Sequence, residues 1–118
     1  SDFMKLFITA LVLFSVMLGS GCTSVSEAGY YWGNYSYTYL ETIQSPSVKS
    51  NEKHIKSLRD ILAKSKELEL KPPPGVSAEL AFWLLKINPV NSEAQALFEQ
   101  EYEAYPESRI FIERLQKL

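Results

Sequence analysis

A run of three prolines and a glycine, Pro72 to Gly75, places the strongest constraint on how this chain folds. Proline lacks a backbone N–H and fixes φ, so the run fits neither a helix interior nor a central strand. Asn88-Pro89 and Pro106 add two further breaks. The sequence therefore predicts short helices divided at these prolines, each with its own start and stop.

A first amphipathic helix is predicted before the proline run. It starts near Asn51, with Ser50 or Asn51 as the cap, and ends before Lys71. Its apolar stripe recurs at helical spacings in Ile55, Leu58, Ile61, Leu62 and Leu68. Since this stripe needs a partner surface, the helix is expected to pack on the segments that follow Gly75.

Two helix-length segments follow the run, residues 76–87 and 91–105, and a third covers residues 107–118. Asn91 or Ser92 can cap the second.

Two antiparallel helices joined by a short turn form an αα-hairpin. The hairpin resembles one tetratricopeptide unit at Leu85, Ala94 and Phe98. It departs from that repeat at Ala78, Phe82 and Glu101. One unit cannot bury its own apolar face, so neighbouring helices must complete the core. The predicted fold is all-α: a small helical domain with one tetratricopeptide-like hairpin.

A Tyr-rich segment precedes these helices. Its aromatic residues alternate with small or apolar ones, which is typical of a strand, but no second strand candidate follows. The segment is expected to be an extended arm, with a short helix or pairing with a partner chain as alternatives. Its aromatic side chains either complete the core or bind a partner. The candidate partner-binding residues are Tyr31, Trp32, Tyr35, Tyr37 and Tyr39.

The N-terminal region has the pattern of a secretory signal peptide. Met4 and Lys5 precede an apolar stretch that is short for a membrane span, and small residues lead to Cys22, the only cysteine. This arrangement resembles the lipobox of bacterial lipoproteins, although Gly19 stands where the lipobox has Leu. The resemblance implies cleavage before Cys22 and lipidation of its sulfur. Residues 1–3 are expected to be an extra start or a cloning scar.

The predicted organisation is a signal peptide at 1–21, a lipidated tether at 22–29 and a single helical domain at 30–118. Two or three acyl chains hold a protein firmly on a bilayer, whereas one chain binds reversibly. Thr23 follows the cysteine where an Asp would signal inner-membrane retention, so resemblance to sorted lipoproteins implies the outer membrane, on its periplasmic face.

Charge and residue content limit the remaining functions. The formal net charge is −2 and the pI is about 5.4, which does not favour nucleic-acid binding.

No cofactor is predicted. No metal site is predicted either, because Glu99, Glu101 and Glu103 are expected on a solvated helix face. His54, the only histidine, lies among lysines where a solvated position is expected, so the chain is predicted not to be an enzyme. Glu79 and Glu107 are the two acids that remain candidates for carboxylate-pair chemistry.

Three short motifs are similar to those of a family of small bacterial lipoproteins of unknown function. They are Tyr31 to Tyr35, Pro73 to Gly75, and Glu101 with Pro106 to Ser108. The resemblance implies an assembly partner, because that family is associated with a lipoprotein like the curli secretion channel. The predicted function is a non-catalytic interaction module for an envelope complex. The alternative is a regulatory or peptidoglycan-contacting lipoprotein that activates a cell-wall enzyme.

Overall fold

A computed structural model describes Asp2, residues 4–6, Val25 and residues 29–118 of the chain. From residue 29 onward the elements are α1 (Tyr35–Gln44), α2 (Val48–Glu67), α3 (Val76–Ile87), α4 (Glu93–Ala104), a 3-10 turn (Pro106–Ser108) and α5 (Arg109–Gln116). Extended pairing within the described residues is limited to one isolated bridge, between Val25 and Tyr31. The all-α prediction is confirmed. None of the described helices is long and apolar enough to cross a membrane.

The Tyr-rich segment is helical from Tyr35 onward, so the extended arm expected there is wrong for α1. Tyr35, Thr38, Tyr39 and Thr42 are spaced by three, four and seven residues, which places them on one helical face. A helix satisfies its own backbone N–H and C=O groups, whereas a lone strand leaves them without partners. The short helix, one of the two alternatives, is what this segment forms.

Helix α2 begins three residues before the predicted start. Ser47 accepts a hydrogen bond from the Ser50 backbone N–H at 3.0 Å, and the Ser50 hydroxyl accepts one from the Ser47 N–H at 2.9 Å. This reciprocal capping box makes Ser47 the cap, and Ser50 is its partner inside the first turn. The helix ends at Glu67, before the prolines, as predicted.

The proline run leads directly into α3 through Gly75, whose φ of +89° lies in the left-handed region that glycine favours. The predicted bounds of α3, Val76 to Ile87, are confirmed. For α4 the cap oxygen comes from Asn91, whose side chain accepts a hydrogen bond from the Glu93 N–H at 2.8 Å. Pro106 opens the 3-10 turn that redirects the chain into α5.

The core lies between α2, α3 and α4, with one residue from α5. Phe82 and Phe98 meet edge to face at 5.1 Å between ring centroids, which joins α3 to α4. Arg59 of α2 forms a bidentate ion pair with Glu93 of α4 at 2.7 and 3.0 Å. The buried apolar residues include Leu58, Ile61, Val76, Leu80, Ala81, Leu84, Ala94, Leu97, Phe98 and Ile112.

Candidate functional site

The five aromatic candidates of the Tyr-rich segment separate into two groups. Tyr31, Trp32 and Tyr35 are partly buried and pack against the core. Tyr39 is exposed but stacks on Tyr35, with ring centroids 5.8 Å apart. Tyr37 is 71 % exposed and lies on the far side of α1. The segment therefore supplies both core packing and exposed aromatic surface, the two roles between which the sequence did not decide.

His54 is buried in a polar cluster, which corrects the solvated position expected for it. Its side chain is 0 % exposed. Its Nδ1 lies 2.8 Å from the Thr38 hydroxyl oxygen of α1, and its Nε2 lies 2.5 Å from a Glu79 oxygen of α3. A buried polar ring needs such partners, because an unsatisfied group inside a protein costs free energy. His54 therefore links α2 to both neighbouring helices.

Glu79 is the acceptor at the centre of this cluster. The Tyr35 hydroxyl donates to its Oε1, and the Trp83 indole N–H donates to its Oε2 at 3.1 Å. Burial, followed by this hydrogen bond to Glu79, raises the pKa of Tyr35 above its ordinary value. One carboxylate thus receives hydrogen bonds from α1 and α3 and contacts the imidazole of α2.

Glu79, His54 and Thr38 have the order of an acid, an imidazole and a hydroxyl, as in nucleophilic catalysis. A nucleophile must reach the substrate, but the Thr38 side chain is 4 % exposed. Its hydroxyl also lies 3.3 Å from the Tyr35 carbonyl of its own helix. The geometry is suited to holding helices together, since a substrate does not reach the hydroxyl in this arrangement.

Glu101 is 2 % exposed, which corrects the solvated face expected for it. Its Oε2 accepts from the Gly75 N–H at 3.1 Å, and its Oε1 lies 3.4 Å from the Ala78 N–H. These N–H groups have no acceptor within α3 itself, because they lie at its start, and Gly75 has no side chain to cap the helix. A carboxylate at a helix N-terminus is also favoured by the helix dipole. Glu101 of α4 thus caps α3 across the hairpin.

A groove of about 550 Å³ opens between α3, the 3-10 turn and α5. Its apolar lining includes Phe82 of α3 and Phe111, Ile112 and Leu115 of α5. Phe111 is 65 % exposed although it lines the groove, so a large aromatic surface faces solvent there. Such a surface on a small protein is suited to contact with an apolar group.

Polar groups border this groove. Tyr30 and Tyr105 line it together, and the Tyr105 hydroxyl donates to the Pro72 carbonyl at 2.6 Å. Burial, followed by hydrogen bonding with Tyr30, raises the pKa of Tyr105. The charged lining residues are Glu79, Glu101 and Glu107, all acidic. Glu79 and Glu107, the two acids singled out from the sequence, both lie here. Glu107 is exposed, whereas Glu101 is buried as the cap of α3, so Glu107 is the carboxylate best placed to meet a positively charged group of a ligand.

A second pocket of about 510 Å³ lies between α2, the proline run and α4. Lys66, Gln100 and Glu103 give it a more polar lining than the groove. The Ser65 hydroxyl that borders it is buried with no hydrogen-bond partner among the described groups. Within the part of the chain that the structure describes, no cluster of His, Cys, Asp and Glu could hold a metal ion. The predicted lipidation residue, Cys22, lies outside the described residues.

The model of a domain of unknown function, DUF4810, matches residues 30–115. The chain belongs to the DUF4810 family. No curated protein and no solved structure matches it. Tyr30 and Leu115, the two ends of the DUF4810 match, both line the groove. The groove, His54, Glu79 and Glu101 therefore all lie inside the DUF4810 domain, whereas Cys22 lies before it.

Helical spacing indicates the burial of His54 and Glu101, the two residues that were expected in solvent. His54 lies four residues before Leu58 and seven before Ile61, on the stripe that α2 buries. Glu101 lies four residues after Leu97 and three after Phe98. Both positions share a buried helix face with core residues, but polar residue type suggested solvent exposure instead.

Proposed function

We propose that this protein is an outer-membrane lipoprotein, anchored through Cys22, that acts as a non-catalytic interaction module in an envelope complex. The groove between α3 and α5 binds an apolar segment of an envelope protein partner. The observation that carries the proposal is Phe111, a large aromatic residue that remains 65 % exposed while lining a groove of about 550 Å³. Amphipathic helices commonly bind such grooves through a few apolar anchor residues.

The lining of the groove supports a partner that combines apolar and basic residues. Phe82, Phe111 and Leu115 offer apolar contacts, and the charged residues that line the groove with them are acidic, with Glu107 exposed to solvent. An apolar segment flanked by Lys or Arg complements this surface in both respects. The resemblance to lipoproteins associated with a curli-channel-like protein supports a channel-forming lipoprotein as this partner.

We also propose that α3 and α4 form a single tetratricopeptide-like unit. The burial of Ala94 and Phe98 at the contact with α3 supports this assignment. Helix α2 packs against α3 and supplies one of the neighbours that a single unit lacks. Helix α2 covers one side of the pair, and the groove between α3 and α5 remains open to a partner.

Co-purification from detergent-solubilised envelopes tests the groove. Phe111→Ala removes the exposed ring, and Ile110→Ala is the matched control because Ile110 is 66 % exposed on the same helix but does not line the groove. We expect recovery of the channel-like lipoprotein to fall at least about tenfold with Phe111→Ala and to remain unchanged with the control. Equal recovery with both variants contradicts the groove proposal. Retention of the protein on purified sacculi supports the peptidoglycan-contacting alternative instead.

A further inference from the structure

Helix α1 has an outer face that no described element covers. Its main residues are Tyr37, Leu40 and Ile43, which are all exposed and recur every three residues. They lie away from Tyr35 and Thr38, which contact Glu79 and His54. The exposed Tyr39 adjoins this outer face of α1. An apolar helix face of this kind, left open on a small domain, indicates a contact surface.

The charge of α1 narrows what that surface can contact. Glu41 is its only charged residue, and the Lys53 ammonium lies 3.1 Å from the Glu41 carboxylate. The remaining exposed polar residues of α1, such as Ser36 and Gln44, are uncharged. Transfer of the outer face into a membrane interface therefore requires no unpaired charge to lose its hydration.

The position of α1 along the chain supplies a second argument. Seven residues separate Cys22 from Tyr30, where the domain begins, and α1 starts at Tyr35. A fully extended chain spans at most about 3.6 Å per residue, so this connection reaches no more than roughly 30 Å. Among the elements from α1 to α5, α1 is the nearest in sequence to the anchor. A lipid on Cys22 thus keeps α1 close to the bilayer.

We propose that the outer face of α1 lies in the interface of the bilayer that holds the Cys22 lipid. The inference rests on the proposed lipid anchor and adds a second membrane contact to it. Tyr37 and Tyr39 are suited to the headgroup level, where tyrosine is enriched, and Leu40 and Ile43 to the acyl boundary below. Because no α1 residue lines the groove, this contact leaves the groove open to a partner.

The test uses the full-length lipidated protein reconstituted into vesicles of phosphatidylethanolamine and phosphatidylglycerol. Leu40→Cys, with Ile43→Cys as a second reporter, carries an environment-sensitive fluorophore. Ile87→Cys is the control, since Ile87 is an exposed apolar residue at the end of α3. We expect nitroxide-labelled lipids to quench the fluorophore at position 40 or 43 several-fold more than at position 87. Aqueous iodide should show the opposite order.

Palmitate incorporation, measured on the same preparations, separates the inference from the anchor. If palmitate is incorporated and iodide reaches positions 40, 43 and 87 equally, the inference is overturned while the anchor stands. If positions 40 and 43 are shielded from iodide but not quenched by lipid nitroxide, the face binds a protein or a second copy, which also overturns it. If Cys22 carries no palmitate, both proposals fall.

Discussion

At the scale of single residues, Glu79 joins three helices through its side chain. Tyr35, His54 and Trp83 all meet its two carboxylate oxygens, and they come from three different helices. Hydrogen bonds to an ionised carboxylate are stronger than those between neutral groups, and partial burial limits competition from water. Glu79 therefore fixes the position of α1, which otherwise contacts mainly α2.

Glu79→Gln is expected to destabilise the protein by about 2 kcal/mol, because an amide places an N–H₂ donor where a carboxylate oxygen now accepts. The midpoint of urea unfolding, followed by Trp fluorescence, measures this change. Glu103→Gln is the matched control, since Glu103 is exposed, and we expect it to shift stability by less than about 0.5 kcal/mol. Equal effects of the two substitutions would refute the central role of Glu79.

The raised pKa of Tyr35 predicts a loss of stability at alkaline pH. Its ordinary value is 10.0, and the folded protein holds the proton to higher pH because of burial and the bond to Glu79. As pH rises through about 10, the unfolded chain loses the proton while the folded protein keeps it, so the free energy of unfolding falls. Tyr105 contributes in the same direction.

Urea midpoints measured from about pH 8 to about pH 11 test this effect. We expect Tyr35→Phe to lower stability near neutrality, where its hydrogen bond is lost, and to flatten the alkaline decline. Tyr37→Phe should match the parent protein, because Tyr37 is exposed. An alkaline decline in Tyr35→Phe as steep as in the parent would show that Tyr35 does not carry the effect.

At the scale of elements, α3 and α4 are joined because a side chain of α4 caps the start of α3. Gly75 gives the chain its left-handed turn out of the proline run, but it brings no side chain to the exposed N–H groups. Glu101 supplies both acceptor oxygens from the facing helix. The start of α3 therefore depends on α4 being in place.

Glu101→Gln is expected to cost about 1 to 2 kcal/mol, because the amide keeps one acceptor and turns a donor toward another N–H. Native-state hydrogen exchange locates the effect: amides in the first turn of α3 should exchange faster, while those of α2 should follow global stability. Glu99→Gln, on the exposed face of the same helix, is the control. Unchanged exchange in the first turn of α3 would contradict a capping role.

The sequence predicted the helices that prolines and apolar spacing define, and it was less informative where polar groups determine position. The bounds of α3 follow from Gly75 and Asn88-Pro89, and they matched. The start of α2 differed because Ser47 and Ser50 cap each other, a pairing that residue type alone leaves ambiguous. In α1 the tyrosines at every second position suggested a strand, but Tyr35 and Tyr39 share one face of a helix while Tyr37 lies on the opposite side.

The candidate site shows the same division. Glu79 was singled out from the sequence, but its partner His54 was assigned to solvent because lysines surround it along the chain. The groove could not be predicted, since its walls come from α3, α5 and Tyr30, which are distant in sequence. Contacts of this kind depend on the path of the chain after Pro106, which local spacing does not specify.

At the scale of the whole molecule, the proposed contacts act at different places. In the two proposals, the lipid on Cys22 and the outer face of α1 contact the bilayer, while the groove between α3 and α5 is left to bind the partner. Two membrane contacts restrict the rotation of a tethered domain, and a fixed orientation raises the local concentration of the groove near membrane-bound partners. This arrangement predicts that anchoring affects partner binding as well as location.

Cys22→Ser tests that dependence. We expect the variant to lose palmitate labelling and the mass of the lipid, since a hydroxyl does not form the thioether, and Ser24→Ala to behave as the parent protein. Recovery of the partner should fall in cells with Cys22→Ser because the groove is no longer held near the outer membrane. Purified Cys22→Ser protein, added to detergent-solubilised partner, should still bind, since the groove residues are unchanged. If the parent protein takes up no palmitate and the serine variant fractionates like it, the anchor is absent. Loss of binding in detergent as well would show that Cys22 acts on the fold and not through location.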